Sequence, residues 1–125
     1  MNGWLFSAGI LSCAIGAIHS GLGEYLIFRH RKDFRGFPPL LGNEEITLGT
    51  IRATWHIATL LAAVPAALLF RFAFLAELGA KERFAVRVTA GSLLACAAVL
   101  FAGTRGKHPG WAGFLLAAGL CGMGL

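Results

Sequence analysis

The sequence predicts an all-α protein that is embedded in a membrane as a four-helix bundle. Of its 125 residues, 57% are hydrophobic and 17 more are Gly, whereas only 14% are charged. Soluble domains carry about 25% charged residues, so this chain lacks the polar surface that water requires. Its charges are grouped, and they leave apolar stretches of 23, 18, 17 and 17 residues. Because a membrane span takes about 20 residues, we expect residues 1–125 to form one transmembrane domain with four spans.

The first span is predicted at residues 4–28, with Trp4 near its outer end. Ser12, Gly16 and Ser20 follow one another at every fourth position, which places these small side chains on one helix face. Small residues allow helices to approach closely within a bilayer. We therefore expect this face, which also carries His19, to contact another helix and not lipid.

The second span is predicted at residues 51–75. The sequence Asn43-Glu44-Glu45 before it is typical of a helix start, because Asn is a favoured N-cap residue and acidic residues suit the first turn. If the helix continues to Leu78, Gly79 becomes its C-cap residue.

The third and fourth spans are predicted at residues 84–102 and 109–125. The fourth begins near Pro109, a favoured first helical residue, and is short and rich in Gly. The cysteines, Cys13, Cys96 and Cys121, lie far apart in apolar stretches, so we expect three small buried hydrophobic residues and no redox pair.

Basic residues predict the orientation of the chain. With Arg52, the segments 29–50 and 103–108 hold seven Lys and Arg residues, and the opposite side of the membrane holds four. Cytoplasmic loops carry the excess of basic residues, so we expect these two loops in the cytoplasm of a bacterial cell and both termini outside its inner membrane. No basic tail or basic helix face indicates a nucleic-acid partner. The predicted partners are the lipid bilayer and a second copy or another membrane protein.

A candidate site emerges from the few polar residues inside or beside the spans: His19, Glu24, Arg52, His56 and His108. From the helical rise, Glu24 lies about 6 Å, His56 about 7 Å and His19 about 13 Å below the cytoplasmic surface. Arg52 and His56 share one face, being four residues apart. We expect these side chains to converge, with Glu24 and Arg52 as an ion pair and His108 as an interfacial or capping residue.

Three stretches, Ile18–Glu24, Ile51–His56 and His108–Trp111, together resemble a family of small bacterial four-span membrane proteins of unknown activity. The resemblance covers most of the chain. It implies an integral inner-membrane protein and assigns no activity to it.

The residues leave several functions open. In one, the polar residues serve only to hold spans together in a structural or accessory membrane protein. Alternatively, they form a proton or ion site in a small dimeric transporter or channel. A third alternative is a haem or metal site with His19 and His56 as ligands. No Ser–His, Cys–His or paired-carboxylate arrangement of recognised spacing points to an enzyme.

Overall fold

The computed structural model describes residues 1–29, 39 and 43–125 of the chain. It is 85% helical and has four helices. Helix α1 spans Gly3–Leu22 and continues as a π-helical segment, Gly23–Arg29. Helices α2, α3 and α4 span Glu44–Ala73, Ala80–Thr104 and Gly110–Met123. The all-α prediction is confirmed, and residues 30–38 and 40–42 of the first predicted loop lie outside the described residues.

Two asparagines begin the first two helices. The Asn2 side-chain oxygen accepts from the Leu5 backbone N–H at 3.2 Å, and that of Asn43 accepts from the Glu45 N–H at 2.8 Å. Each bond satisfies one of the N–H groups that a helix start leaves without an intrahelical partner. The predicted cap at Asn43 is confirmed, so α2 begins well before residue 51, the predicted start of the second span.

The continuation of the second helix to Leu78, with Gly79 as its C-cap residue, is wrong. Helix α2 ends at Ala73, and Gly79 is instead the extended N-cap residue of α3. At this end the Ala73 carbonyl accepts the backbone N–H of Asn2 at 2.7 Å. The last turn of α2 is therefore bonded to the start of α1, and the chain leaves the helix five residues earlier than a Gly79 cap requires.

Three helical segments are long and apolar enough to cross a membrane: Gly3–Arg29 with 27 residues, Glu44–Ala73 with 30 and Ala80–Thr104 with 25. Large apolar side chains cover their outer faces, and Leu60 and Val99 are 70% and 74% exposed. Such a surface is typical of a protein surrounded by lipid. Helix α4 has 14 residues and is about 21 Å long, whereas the hydrocarbon core is about 30 Å thick. A fourth span remains a prediction.

The helices form an open arc in the order α2, α1, α4, α3. Helix α1 packs along both α2 and α4, and α3 packs along α4, whereas α2 and α3 barely approach each other. A cluster of buried apolar residues from all four helices lies toward the end of the helices where both termini are found: Leu5, Ala8, Leu69, Ala73, Val86, Leu93, Ala117, Ala118 and Cys121. The polar residues of the candidate site lie at the other end of α1 and α2, away from the termini.

Only one of the three cysteines is buried as predicted. Cys121 belongs to the apolar core, but Cys13 and Cys96 are exposed. These two lie on faces of α1 and α3 that are turned away from the neighbouring helices. The prediction of three buried cysteines is therefore wrong for Cys13 and Cys96.

Candidate functional site

The small-residue face of α1 brings this helix against α2. A Cβ atom at Gly9 would lie 2.8 Å from the Phe70 ring, and one at Gly16 would lie 3.4 Å from the Thr59 methyl carbon. Ser12, on the same face, is buried and bonds to the Ala8 carbonyl. The predicted helix–helix interface on this face is confirmed.

At Gly23 the α-helix changes into the π-helical segment. The Gly23 N–H bonds to the carbonyls of both His19 and Ser20, and the wider coil continues through Glu24 to Arg29. The Trp55 indole lies over Gly23 and donates to the His19 carbonyl at 3.0 Å. π-Helical turns are rare and frequently occur at functional sites.

Glu24 forms the predicted ion pair with Arg52. The guanidinium Nε donates to Glu24 Oε2 at 2.9 Å, and Nη2 donates to Oε1. Two parallel bonds between a guanidinium and a carboxylate fix the direction of both groups. Because Arg52 belongs to α2, the pair connects the π-helical segment to the second long helix.

His56 connects the ion pair to hydroxyl groups deeper in the interface. Its Nε2 lies 3.3 Å from Glu24 Oε2, and its Nδ1 lies 3.0 Å from Ser20 Oγ. Ser20 Oγ in turn lies 2.9 Å from Thr59 Oγ1. We call these five residues, Ser20, Glu24, Arg52, His56 and Thr59, the polar cluster.

The polar cluster admits two hydrogen-bonding patterns. Since a carboxylate only accepts, His56 Nε2 donates to Glu24 in both. When His56 is neutral, its Nδ1 accepts from the Ser20 hydroxyl, which accepts from Thr59. When His56 is protonated, Nδ1 donates to Ser20, and the Ser20 hydroxyl donates to Thr59. A single proton on His56 therefore reverses the direction of the Ser20–Thr59 bond.

His19 lies beside the polar cluster and is not hydrogen-bonded within it. Its ring stacks on the Trp55 indole with centroids 4.1 Å apart and planes 6° from parallel, and Phe28 meets the indole edge-on at 6.0 Å. His19 is exposed, so its stacked ring covers one face of Trp55. The structure thus places His19 at the rim of the α1–α2 interface.

His108 caps α4, as one of the two predicted roles requires. Its Nδ1 accepts from the Gly110 backbone N–H at 3.1 Å, and the neighbouring Trp111 donates to the Gly106 carbonyl at 3.2 Å. Within the described residues, no hydrogen bond joins His108 to the polar cluster. Of the five predicted site residues, the structure therefore unites Glu24, Arg52 and His56.

Sequence reasoning did not assign Ser20, Thr59 or Trp55 to the site. Of these three, only Ser20 enters the sequence analysis, as a small residue of the predicted interface. The one available signal was that Ser20 precedes Glu24 by four residues, and Thr59 follows His56 by three, on faces already predicted to meet.

A metal or haem site with His19 and His56 requires these contacts to change. Both ring nitrogens of His56 have partners, and His19 lies flat on an indole. Among the residues that the structure describes, no group of three or more His, Cys, Asp or Glu side chains is placed to hold a metal ion. The geometry therefore offers a hydrogen-bonded cluster in preference to a ligand set.

Comparison with known proteins gives no relative from which a function can be transferred. Neither a protein-family model, nor a curated protein, nor a solved structure matches the chain. The functional argument therefore rests on the geometry of the site.

Proposed function

We propose that this chain is a structural or accessory protein of the bacterial inner membrane, in which the polar cluster clamps α1 to α2. The observation that carries the proposal is the bidentate Glu24–Arg52 pair, which His56 extends to Ser20. In the described residues, every buried side-chain N or O atom has a hydrogen-bond partner. Buried polar groups that are satisfied within the protein favour a structural role, because none of these buried groups is left to bind a ligand.

The proposed orientation places the polar cluster on the cytoplasmic side. Arg29, Arg52, Arg105 and Lys107 belong to this end of the helices, and the sequence adds three basic residues of the first loop. Under the positive-inside rule, both termini then face outward. Alkaline phosphatase is active only outside the cytoplasm, so fusions after residue 78 and residue 106 test this directly. Activity of the second fusion and not of the first would reverse the orientation.

The clamp is tested by the yield of folded protein. We expect His19→Ala and Arg52→Ala to lower the fraction that elutes as a single species from size-exclusion chromatography in mild detergent. Arg87→Ala is the matched control, because Arg87 is exposed on α3 and has no ion pair among the described residues. Wild-type yields for both His19→Ala and Arg52→Ala would contradict the proposed clamp.

A second candidate function is a small dimeric proton-coupled transporter or channel. The reversible Thr59–Ser20–His56 hydrogen-bond chain favours it, since His56 could take a proton beside the Glu24 carboxylate without losing a bond. Four short helices enclose little space, so a pathway requires a second copy. In vesicles that contain a pH-sensitive dye, a transporter moves protons in the wild type and not in His56→Gln. A protein that stays monomeric and moves no protons would exclude this function.

The haem or metal alternative is tested independently of the clamp and of the transporter. We would record the absorption spectrum and the metal content of protein purified in detergent from haem-replete cells. A Soret band or stoichiometric metal that disappears in His56→Gln would replace the clamp proposal with a cofactor site.

A further inference from the structure

A cavity of about 760 Å³ lies at the end of the helices opposite the polar cluster. Its walls come from the start of α1, the last turn of α2, the turn that follows it, the start of α3, and Gly124 and Leu125 after α4. Its lining includes Trp4, Phe72, Glu77 and Arg83. The volume falls within the range of about 300–1,000 Å³ that is common for small-ligand sites.

Two side chains of opposite charge face this cavity without pairing with each other. Glu77 and Arg83 form no ion pair, and within the described part of the chain the Glu77 carboxylate has no hydrogen-bond partner. Arg83 is held in place from one side, because its Nε donates to the Leu78 carbonyl at 3.1 Å and its Nη1 to the Leu125 carbonyl at 2.6 Å. Among the described residues its Nη2 has no hydrogen-bond partner, which leaves its N–H groups for a ligand.

Trp4 adds a neutral donor to the same wall. Trp4 is 51% exposed, and its indole N–H has no partner among the described residues. Trp4 belongs to the first turn of α1 and Arg83 to the first turn of α3, so the cavity lies where two membrane-length helices begin. Tryptophan and charged residues at that level are typical of the membrane–water boundary, where lipid head groups are the most abundant ligands.

We propose that this cavity binds the head group of a zwitterionic phospholipid that carries a primary ammonium group. The Glu77 carboxylate accepts from the ammonium, and Arg83 Nη2 with the Trp4 indole N–H donates to the phosphate. An anionic head group offers no cation to the Glu77 carboxylate. A quaternary ammonium has no N–H group to donate to that carboxylate. The site involves no residue of the polar cluster, so it goes beyond the proposed clamp and does not depend on it.

The experiment measures which lipids stay bound. The full chain is reconstituted in vesicles of equal parts phosphatidylethanolamine, phosphatidylcholine and phosphatidylglycerol with identical acyl chains, extracted in mild detergent and examined by native mass spectrometry. We expect the wild type to retain phosphatidylethanolamine in about tenfold excess over the other two lipids, as charge-assisted hydrogen bonds allow. Glu77→Gln should reduce the excess to near parity.

Glu82→Gln is the matched control, because Glu82 lies on the same side of the chain in the first turn of α3 but does not line the cavity. It should retain the wild-type preference. Equal retention of all three lipids by the wild type, or an unchanged preference in Glu77→Gln, would overturn the proposal. Soluble phosphoethanolamine is added at the lipid's concentration in a final arm. Displacement of the lipid there would assign the cavity to a soluble compound and overturn the lipid assignment.

Discussion

The Trp55 indole occupies the space that a side chain at residue 23 would need. An ideal Cβ at Gly23 would lie 2.2 Å from Trp55 Nε1 and 2.5 Å from its Cε2. The contact of the Trp55 indole with Gly23 places α2 against the junction between the α-helical and π-helical parts of the first span. It also explains why the indole can reach the His19 carbonyl, from which it is 3.0 Å away.

The first prediction is that Gly23→Ala separates the two helices. The new methyl group must displace the Trp55 ring, and overpacking of this kind lowers the free energy of unfolding by about 1–3 kcal/mol. Gly21→Ala is the control, because nothing lies within 4 Å of a Cβ at Gly21. Detergent-denaturation curves followed by circular dichroism measure both variants. If the two curves coincide, the Trp55–Gly23 contact does not hold the helices together.

A second prediction concerns Ser20 and His56. Interhelical hydrogen bonds in membrane proteins contribute about 0.6 kcal/mol on average and up to about 1.7 kcal/mol. We expect a double-mutant cycle of Ser20→Ala and His56→Leu to give a coupling energy in that range. Ser7→Ala, an exposed position on the same helix, should show no coupling to His56→Leu. Strictly additive effects of Ser20→Ala and His56→Leu would mean that the bond contributes nothing to stability.

The third prediction separates charge from shape in the Glu24–Arg52 pair. Glu24→Gln and Arg52→Gln should each destabilise the α1–α2 contact, because each leaves a charge without its partner. The double variant should be less destabilised than the sum of the two, since it leaves neither charge unpaired. The Arg52 side chain is 54% exposed, so high salt should weaken the wild-type pair and leave the double variant unaffected. Equal salt dependence in both proteins would argue against a stabilising ion pair.

A fourth prediction addresses the other end of α1. Asn2 caps this helix and also donates from Nδ2 to the Gly124 carbonyl at 2.8 Å. Asn2→Ala removes both bonds, and loss of the cap alone costs about 1 kcal/mol. Asn2→Asp keeps the accepting oxygen of the cap and loses only the donor. Amide hydrogen exchange in the first turn of α1 should therefore accelerate in Asn2→Ala and stay close to wild type in Asn2→Asp.

The convergence of the polar residues was predictable because it depends only on helical rise and on where the charges end each span. Counting from Phe28 and from Ile51 places Glu24 and His56 at one depth, and the structure joins them. The small-residue face of α1 was predictable for a similar reason, since close helix packing requires small side chains at every fourth position.

Other features depend on contacts that no local pattern encodes. The π-helical turn at Gly23 has no sequence signature, and the position of Trp55 over it follows from how α2 lies across α1. Gly79 was assigned to the wrong helix because the bond that ends α2 comes from Asn2, more than seventy residues away in sequence. The cysteine error has the same origin. An apolar neighbourhood along the chain does not distinguish a side chain that faces a helix from one that faces lipid.

The open arc has a consequence for how the protein is made. Helix α1 is synthesised before α2 and α4, yet it lies between them. Glu24 therefore lacks its guanidinium partner until α2 has been synthesised and has packed against α1. The contact of α1 with α4 forms only after the remainder of the chain has followed. Assembly thus starts at α1 and continues with α2 and then α4. A chain whose synthesis stalls before residue 110 leaves one side of α1 uncovered.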